Sequence, residues 1–204
     1  MTEKPEPEAL GRALKALRGG GVVAFPTETF YGLAADATSP AAVERLHALK
    51  GRPAGKPIAC IVGDRSQVAL LCDRWPASAE RLAARFWPGP LTLVVPAREG
   101  LPAPLLSRDA EGAFVGLRLS SHPWARALAL GLGLPITATS ANLSGGPEAS
   151  RFEALAPSLL EKIDFALDGG PTPGGRGSSL VRCGAGLTCL REGAIPYAEI
   201  LAGL

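Results

Sequence analysis

Apolar residues along the chain recur either at helical spacing or in short continuous runs, and the two patterns alternate. Leu10, Leu14 and Leu17 lie three or four residues apart and predict a first helix, which the glycines at 19–21 end. The apolar run at 22–25 is short and predicts a buried strand. The same patterns predict further helices at 41–49, 66–72, 78–86 and 124–130, further strands at 58–62, 91–95, 114–119, 136–139, 165–167, 179–181 and 187–190, and a closing helical turn at 196–201.

This interleaving of helices and strands predicts an α/β fold. Connections without helices late in the chain favour a mixed sheet, so we expect a twisted mixed sheet flanked by helices. The chain has 204 residues, of which 47% are hydrophobic, and this is enough for one domain with its own core. We expect a flexible N-terminus at 1–7 and a single domain at 8–204. The polar segment 98–112 is expected to be mobile, and whether it closes over a site stays open.

Composition excludes several functional classes. The formal net charge is +2, from 21 basic and 19 acidic residues, whereas an obligate nucleic-acid binder usually has a large basic excess. The four cysteines include no Cys-x-x-Cys pair and the chain has only two histidines, so we expect no metal site built from these residues. With no signal peptide and no apolar run of membrane-spanning length, we expect a cytoplasmic protein with reduced thiols and no membrane association.

Two polar loops in the first third of the chain are candidates for binding. The loop at 26–33 places Thr27, Glu28 and Thr29 directly after a predicted strand, which is a common ligand position in α/β sheets. The loop at 50–57 carries three cations within seven residues and is stiffened by prolines, which suits a polyphosphate. The first loop is also compatible with a helix cap or a Ser/Thr turn, and the second with a solvated basic turn. The second does not have the order of residues of a Walker A loop.

Two further loops lie in the last third of the chain. The segment 137–146 follows an apolar strand with small hydroxyl residues, an Asn and a Gly pair, and such a loop can present N–H groups and hydroxyls to a phosphate or a ribose. The segment 168–179 is rich in glycine and carries one cation and hydroxyls. The alternative for both is an ordinary turn or a flexible surface loop.

No motif for covalent catalysis accompanies these loops. The sequence has no His-Glu-x-x-His and no Gly-x-Ser-x-Gly pattern, and no His lies beside a candidate Ser or Cys nucleophile. The candidate site consists of hydroxyls, amides and cations, which position and neutralise anions. Chemistry at a nucleotide phosphate is compatible with this set.

In these loops the sequence resembles the YrdC family of threonylcarbamoyl-AMP synthases. Seven segments match in the order of the family and span roughly 10–196, nearly the whole chain. They are Pro-Thr-Glu-Thr-Phe-Tyr-Gly-Leu at 26–33, Lys-Gly-Arg-Pro at 50–53, Phe-Trp-Pro-Gly-Pro-Leu-Thr at 86–92, Val-Gly-Leu-Arg at 115–118, Ser-Ala-Asn-Leu-Ser-Gly at 140–145, Asp-Gly-Gly at 168–170 and Leu-Arg-Glu-Gly-Ala-Ile at 190–195. The resemblance implies a YrdC-like catalytic domain with a concave substrate-binding face. It is to the single-domain form, since the chain ends shortly after Tyr197.

The resemblance also implies a reaction. L-Threonine, bicarbonate and ATP would give L-threonylcarbamoyl-AMP and pyrophosphate, for the threonylcarbamoyladenosine modification of tRNA next to the anticodon. A carbamate formed from threonine and bicarbonate would attack the α-phosphorus of ATP, so no protein nucleophile is needed. The implied roles are catalytic for Lys50 and Arg52, ATP-binding for Arg52, Lys56, Ser140, Asn142 and Arg191, and threonine-binding for Thr29, Arg118 and Ser178.

The implied cofactor is Mg²⁺, which would arrive on the phosphates of ATP because no carboxylate cluster is evident in the sequence. The implied partners are downstream threonylcarbamoyl transferase proteins, and tRNA would bind weakly at most. One alternative stays open, an RNA-binding or ribosome-associated module without adenylation activity. Another is a different carbamoyl-adenylate-forming enzyme. For Arg118 the alternative is a structural ion pair with an internal carboxylate.

Overall fold

Ten strands of this protein form one mixed sheet in a computed structural model that describes residues 5–51, 55–184 and 186–203. The strands are β1 (Val23–Pro26), β2 (Tyr31–Ala34), β3 (Ala59–Val62), β4 (Leu91–Pro96), β5 (Leu106–Asp109), β6 (Gly112–Leu119), β7 (Ile136–Ser140), β8 (Phe165–Ala166), β9 (Ser179–Cys183) and β10 (Leu187–Arg191). Their order is β10-β9-β4-β6-β3-β7-β2-β1-β8, and β5 pairs with β6 outside this path. Three pairs are parallel, namely β1/β8, β3/β6 and β4/β9, which confirms the mixed sheet.

Helices cover parts of both faces of the sheet. They are α1 (Pro7–Arg18), α2 (Pro40–Lys50), α3 (Ala77–Phe86), α4 (Pro123–Leu132), α5 (Pro157–Leu160) and α6 (Tyr197–Leu201). Ser39 caps α2, because its side chain accepts a hydrogen bond from the Ala42 N–H and a proline follows at the first helical position. Helix α1 is capped by Glu6 and begins at Pro7, and residues 1–4 lie outside the described part of the chain.

Alternation along the strands produces two apolar layers. Along β1, Ala24 packs into the layer formed with α2 and α3, whereas Val23 and Phe25 pack into the layer formed with α1 and α4. Along β6, Leu117 and Leu119 belong to the α2/α3 layer. Arg118 therefore points to the opposite face, the one on which α1 and α4 lie.

The structure differs from the sequence-based elements in several places. Strand β2 begins within the polar loop predicted at 26–33, and its antiparallel pairing with β1 and β7 buries it completely. The helix predicted at 66–72 is a 3-10 helix, Arg65–Leu70. Part of the segment expected to be mobile is strand β5, paired with β6. Helix α5 was not predicted, since it is only four residues long. In the described part of the chain, no helix is both long and apolar enough to cross a bilayer.

Candidate active site

The site is a cleft on the face of the sheet opposite α2 and α3, where several strand ends and the loops after them meet. Its volume is about 160 Å³. Thr92 and Leu180 reach it for the same reason as Arg118, because each alternates along its strand with a residue of the α2/α3 layer. The polar residues that line the cleft are Thr27, Thr29, Thr92, Arg118, Thr139, Ser140, Glu148, Ser178 and Arg191.

The loop between β1 and β2 brings two buried hydroxyls to the cleft. The Thr27 hydroxyl donates to the Phe30 carbonyl oxygen at 2.7 Å and lies 3.0 Å from the Thr29 hydroxyl. Because a hydroxyl has one proton, the bond between the two threonines is donated by Thr29. The Thr29 oxygen therefore keeps its acceptor capacity for a donor in the cleft.

Arg118 lies at the base of the cleft and is almost completely buried. Its Nη1 is 3.1 Å from Oε1 of Glu28, and the two side chains are 7% and 11% exposed. Among the described residues Oε1 of Glu28 accepts no hydrogen bond, so its contact with Arg118 is an ion pair only. The other carboxylate oxygen of Glu28 accepts a hydrogen bond from Ser120. Arg118 thus forms the structural ion pair with an internal carboxylate that was the alternative to its binding role. It also faces the cleft.

The Gly-rich segment after β8 returns to the cleft at Ser178. The Ser178 hydroxyl lies 2.8 Å from the Thr92 hydroxyl, and its carbonyl oxygen accepts a hydrogen bond from Arg191 Nη2 at 2.8 Å. The same segment is attached to the first loop, because the Gly174 N–H donates to the Thr29 carbonyl oxygen at 2.8 Å. Three predicted site residues, Thr29, Ser178 and Arg191, are therefore held together on one side of the cleft.

Positive charge converges on the cleft from two strands. Arg191 is exposed as a residue, but its guanidinium is partly covered where it contacts Ser178. This burial lowers the pKa of Arg191, the carboxylate of Glu148 opposes the shift, and the nearby charge of Arg118 adds to it. Two guanidinium groups close enough to repel each other are stabilised by an anion between them, so the cleft favours an anionic ligand.

The predicted nucleotide loops meet around Lys50. The side chain of Lys50 is buried, with the residue 3% exposed, and Nζ donates to the Ser140 carbonyl oxygen and to Oδ1 of Asn142 at 3.1 Å. Oδ1 of Asn142 also accepts from the Ser140 hydroxyl at 2.8 Å. Lys50 therefore places its charge beneath the Ser-x-Asn turn and holds that turn in one conformation.

The remaining predicted cations are placed differently. Lys56 lines a neighbouring cavity of about 300 Å³ with Glu44 and His47 of α2, and this cavity shares Pro57 with the cleft. Arg52 lies outside the described residues, so its predicted role stays a prediction.

Sequence reasoning quoted the motifs that contain Glu28, Tyr31 and Thr92 but did not assign a role to these side chains, and it missed Ser120 altogether. The Tyr31 hydroxyl donates to the Gly170 carbonyl oxygen at 2.8 Å and thereby attaches the Asp-Gly-Gly turn to β2. That turn requires glycine at 169, because a Cβ there would lie 2.6 Å from the Trp124 ring. The signal available in the sequence was the position of these residues inside or beside the matched motifs.

Comparison with known proteins identifies the family. The family model Sua5_yciO_yrdC, described as "Telomere recombination", matches residues 15–193. The chain belongs to the Sua5/YciO/YrdC family. This membership covers the whole of the cleft described above, since its lining residues lie between Thr27 and Arg191.

Relatives in this family carry the name threonylcarbamoyl-AMP synthase. The chain is 40% identical over 194 residues to the protein of that name from Bacillus subtilis and 40% identical over 191 residues to that from Pyrococcus abyssi. It is 37% identical over 190 residues to that from Vibrio cholerae. These alignments cover 95%, 90% and 91% of this chain, and 56%, 54% and 98% of the relatives. The chain thus spans about half the length of the first two.

Solved structures of the family have the same fold. The P. abyssi Sua5 structure in complex with L-threonine superposes with a TM-score of 0.91 at 37% identity, over 99% of this chain and 59% of that one. The Escherichia coli YciO structure superposes with a TM-score of 0.81 at 25% identity, over 95% of this chain and 93% of that one. The predicted α/β fold and the predicted family are both confirmed.

Proposed function

We propose that this chain forms L-threonylcarbamoyl-AMP and pyrophosphate from L-threonine, bicarbonate and ATP. The observation that carries the proposal is the cleft itself, which combines Arg118 and the Thr29 hydroxyl in a chain that superposes on an L-threonine complex of Sua5. Relatives named threonylcarbamoyl-AMP synthase, at 37–40% identity, support the reaction.

In this proposal the amino-acid substrate binds at the base of the cleft. The Arg118 guanidinium pairs with its α-carboxylate, which matches the fork of N–H donors that an arginine presents. The Thr29 oxygen, which keeps its acceptor capacity, receives a hydrogen bond from the amine or hydroxyl of threonine. Ser178 lies beside Thr92 and completes this wall of the subsite.

The nucleotide binds along the Ser-x-Asn turn in the proposal. Ser140 and Asn142 contact the nucleotide, Arg191 reaches its phosphate or ribose, and Lys50 supports the turn from below. Lys50 together with Arg52 and Lys56 offsets the negative charge that develops on the phosphoryl oxygens and on pyrophosphate. The carbamate oxygen attacks the α-phosphorus in line, and the protein contributes proximity and charge neutralisation.

Metal and macromolecular partners have a limited part in the proposal. Among the described residues, no group of three or more His, Cys, Asp or Glu is placed to hold a metal ion. In the proposal Mg²⁺ arrives on the ATP phosphates as their counter-ion. Threonylcarbamoyl transferase proteins would consume the adenylate in the cytoplasm, and tRNA would bind weakly because the net charge is only +2.

The test is a direct assay of the product. The protein is incubated with ATP, threonine and bicarbonate, and mass spectrometry follows threonylcarbamoyl-AMP while a coupled assay follows pyrophosphate. We expect both products, and neither when threonine or bicarbonate is omitted. Cleavage of ATP to ADP and phosphate would contradict adenylation. Nanomolar tRNA binding at physiological salt without any adenylate would favour the RNA-binding alternative.

A further inference from the structure

The carboxylate of Glu28 lies directly behind Arg118 without lining the cleft. Thr27 and Thr29, on either side of it in the chain, both line the cleft, whereas the Glu28 side chain turns towards the buried ion pair. Ser120 holds one carboxylate oxygen of Glu28, and the Ser120 hydroxyl in turn accepts a hydrogen bond from the His122 N–H at 3.1 Å. The orientation of this carboxylate is therefore set by the first residues of the segment that leads into α4.

The ion pair balances charge but does not use the hydrogen-bond donors of Arg118. Oε1 of Glu28 accepts no hydrogen bond from the described part of the chain, although it lies 3.1 Å from Nη1 of Arg118. Within the described residues, the Arg118 guanidinium donates no side-chain hydrogen bond to another group. The N–H donors of Arg118 thus stay available to a ligand in the cleft, while the Glu28 carboxylate compensates the charge of Arg118 from the opposite side.

Among the described residues, no second cation pairs with Glu28 from the start of α4, where His122 is the N-cap. The imidazole of His122 is buried, and neither ring nitrogen has a hydrogen-bond partner in residues 5–51, 55–184 and 186–203. Burial lowers the pKa of His122 against the opposing charge of Glu28, so the ring is neutral at neutral pH. The negative charge of Glu28 is therefore directed to Arg118.

The two substrates of the proposed reaction differ strongly in charge. Threonine presents a single carboxylate, whereas ATP and pyrophosphate carry several negative charges. An uncompensated Arg118 next to Arg191 would attract the polyphosphate most, because Coulomb attraction grows with the charge of the ligand. Hydrogen bonding to a planar carboxylate depends instead on the fork of donors.

We propose that Glu28 determines the specificity of this subsite by cancelling the net charge of Arg118, so that the subsite accepts a carboxylate through hydrogen bonds and excludes polyphosphate. This inference rests on the proposed function, because it assigns the carboxylate to threonine and the polyphosphate to ATP or pyrophosphate. Glu28 acts through Arg118 and is a positioning residue.

The experiment compares threonine binding by calorimetry with and without saturating pyrophosphate, in the absence of ATP. In the parent protein we expect pyrophosphate to change the Kd of threonine by less than about twofold, since it occupies its own subsite. In Glu28→Gln we expect pyrophosphate to raise the Kd of threonine about tenfold or more, because the uncompensated guanidinium now binds the polyphosphate. Glu28→Asp keeps the charge and should behave like the parent.

A matched control changes a different Arg–Glu pair. Glu80 pairs with Arg65 on the surface, and neither residue lines the cleft. Glu80→Gln therefore makes the same change of charge and should leave the response to pyrophosphate at the parent level. If Glu28→Gln weakens threonine binding equally with and without pyrophosphate, the pair is structural and the inference is wrong.

Further measurements distinguish a failure of this inference from loss of folding in the variant and from a failure of the proposed function. If Glu28→Gln is unfolded on its own, its melting is followed in millimolar pyrophosphate, which should stabilise the variant more than the parent. A variant that stays unfolded there assigns the pair to stability and overturns the inference. If the parent forms the adenylate but Glu28→Gln shows no new competition, only the inference fails. If the parent forms no adenylate, the proposed function fails.

Discussion

Arg118 can serve two anions, the Glu28 carboxylate behind it and a carboxylate in the cleft in front of it. We expect Arg118→Lys to weaken threonine binding by about 1.5–3 kcal/mol, the range for a hydrogen bond to a charged group, because an ammonium cannot reproduce the planar fork. ATP binding should hardly change, since the triphosphate is assigned to Lys50, Arg52 and Lys56. Calorimetric titration of each ligand into the variant measures both effects.

The pair with Glu28 provides the competing outcome for this variant. Lysine keeps the positive charge beside Glu28, so the fold should be retained. An equal loss of affinity for ATP and threonine, or a collapse of the melting temperature, would assign Arg118 to stability rather than to the substrate.

Lys50 and Lys56 test whether two cations of one loop have different roles. Lys50→Met removes a buried donor to the Ser140 carbonyl oxygen and Asn142, and we expect a loss of about 1–3 kcal/mol in the free energy of unfolding as well as weaker ATP binding. Lys56 is exposed, so Lys56→Met should weaken ATP binding with a much smaller loss of stability. Denaturant unfolding and ATP titration of both variants distinguish the roles, and equal loss of stability would contradict them.

At the scale of elements, strand β2 and the Gly-rich segment after β8 are joined through one hydroxyl. The Tyr31 hydroxyl donates to the Gly170 carbonyl oxygen at 2.8 Å and accepts from the Gly169 N–H at 3.3 Å. We expect Tyr31→Phe to lower the free energy of unfolding by about 1–2 kcal/mol and to speed hydrogen exchange of the amides at 170–178. The affinity for threonine should also fall in Tyr31→Phe, because Ser178 lies on the segment that the Tyr31 hydroxyl holds.

Tyr197 provides the matched control for this change. Its hydroxyl donates to the Leu187 carbonyl oxygen at 3.4 Å on β10, whereas the Asp-Gly-Gly turn follows β8 at the opposite edge of the sheet. Tyr197→Phe should leave exchange at 170–178 unchanged. If both variants respond alike, the hydroxyl of Tyr31 has no particular part in holding the segment.

At the scale of the whole molecule, burial decides which thiols can react. Cys60, Cys72 and Cys183 are buried, whereas Cys189 on the edge strand β10 is partly exposed. We expect a thiol reagent to modify one cysteine rapidly in the native protein and the other three only on unfolding. Cys189→Ser should remove the fast phase, and a fast phase that persists in this variant would contradict the burial of the other three.

The same burial predicts loss of stability at alkaline pH. Desolvation raises the pKa of Cys60 to about 12 and that of Cys183 to about 11, from an unfolded value of 9.0. A raised folded pKa contributes stability below the unfolded pKa, and this stability is lost as the pH rises above 9 towards the folded value. Denaturant unfolding across this range should show the decline, and Cys183→Ala should make it less steep.

Local patterns and motif order were sufficient for the class of fold, the family and most of the residues of the cleft. Helices such as α2 could be predicted because a cap, a proline and an apolar face all lie within a dozen residues. Thr29, Arg118 and Ser140 could be named because each lies inside a matched motif, whereas Ser178 lies in the Gly-rich segment 168–179 between two of them. The structure brings all four to one cleft.

Tertiary structure alone decided how the charges of the site are balanced. Glu28 and Ser120 are 92 residues apart in the chain, and Lys50 and Asn142 are also 92 apart, so no local pattern predicts their contacts. Strand β2 could not be predicted for the same reason. The polar residues before it are typical of a loop, and the strand depends on its pairing with β1 and β7. The sequence by itself determined which chemical groups are present, and the pairing of distant strands decided which of them face the ligand and which compensate a charge from behind.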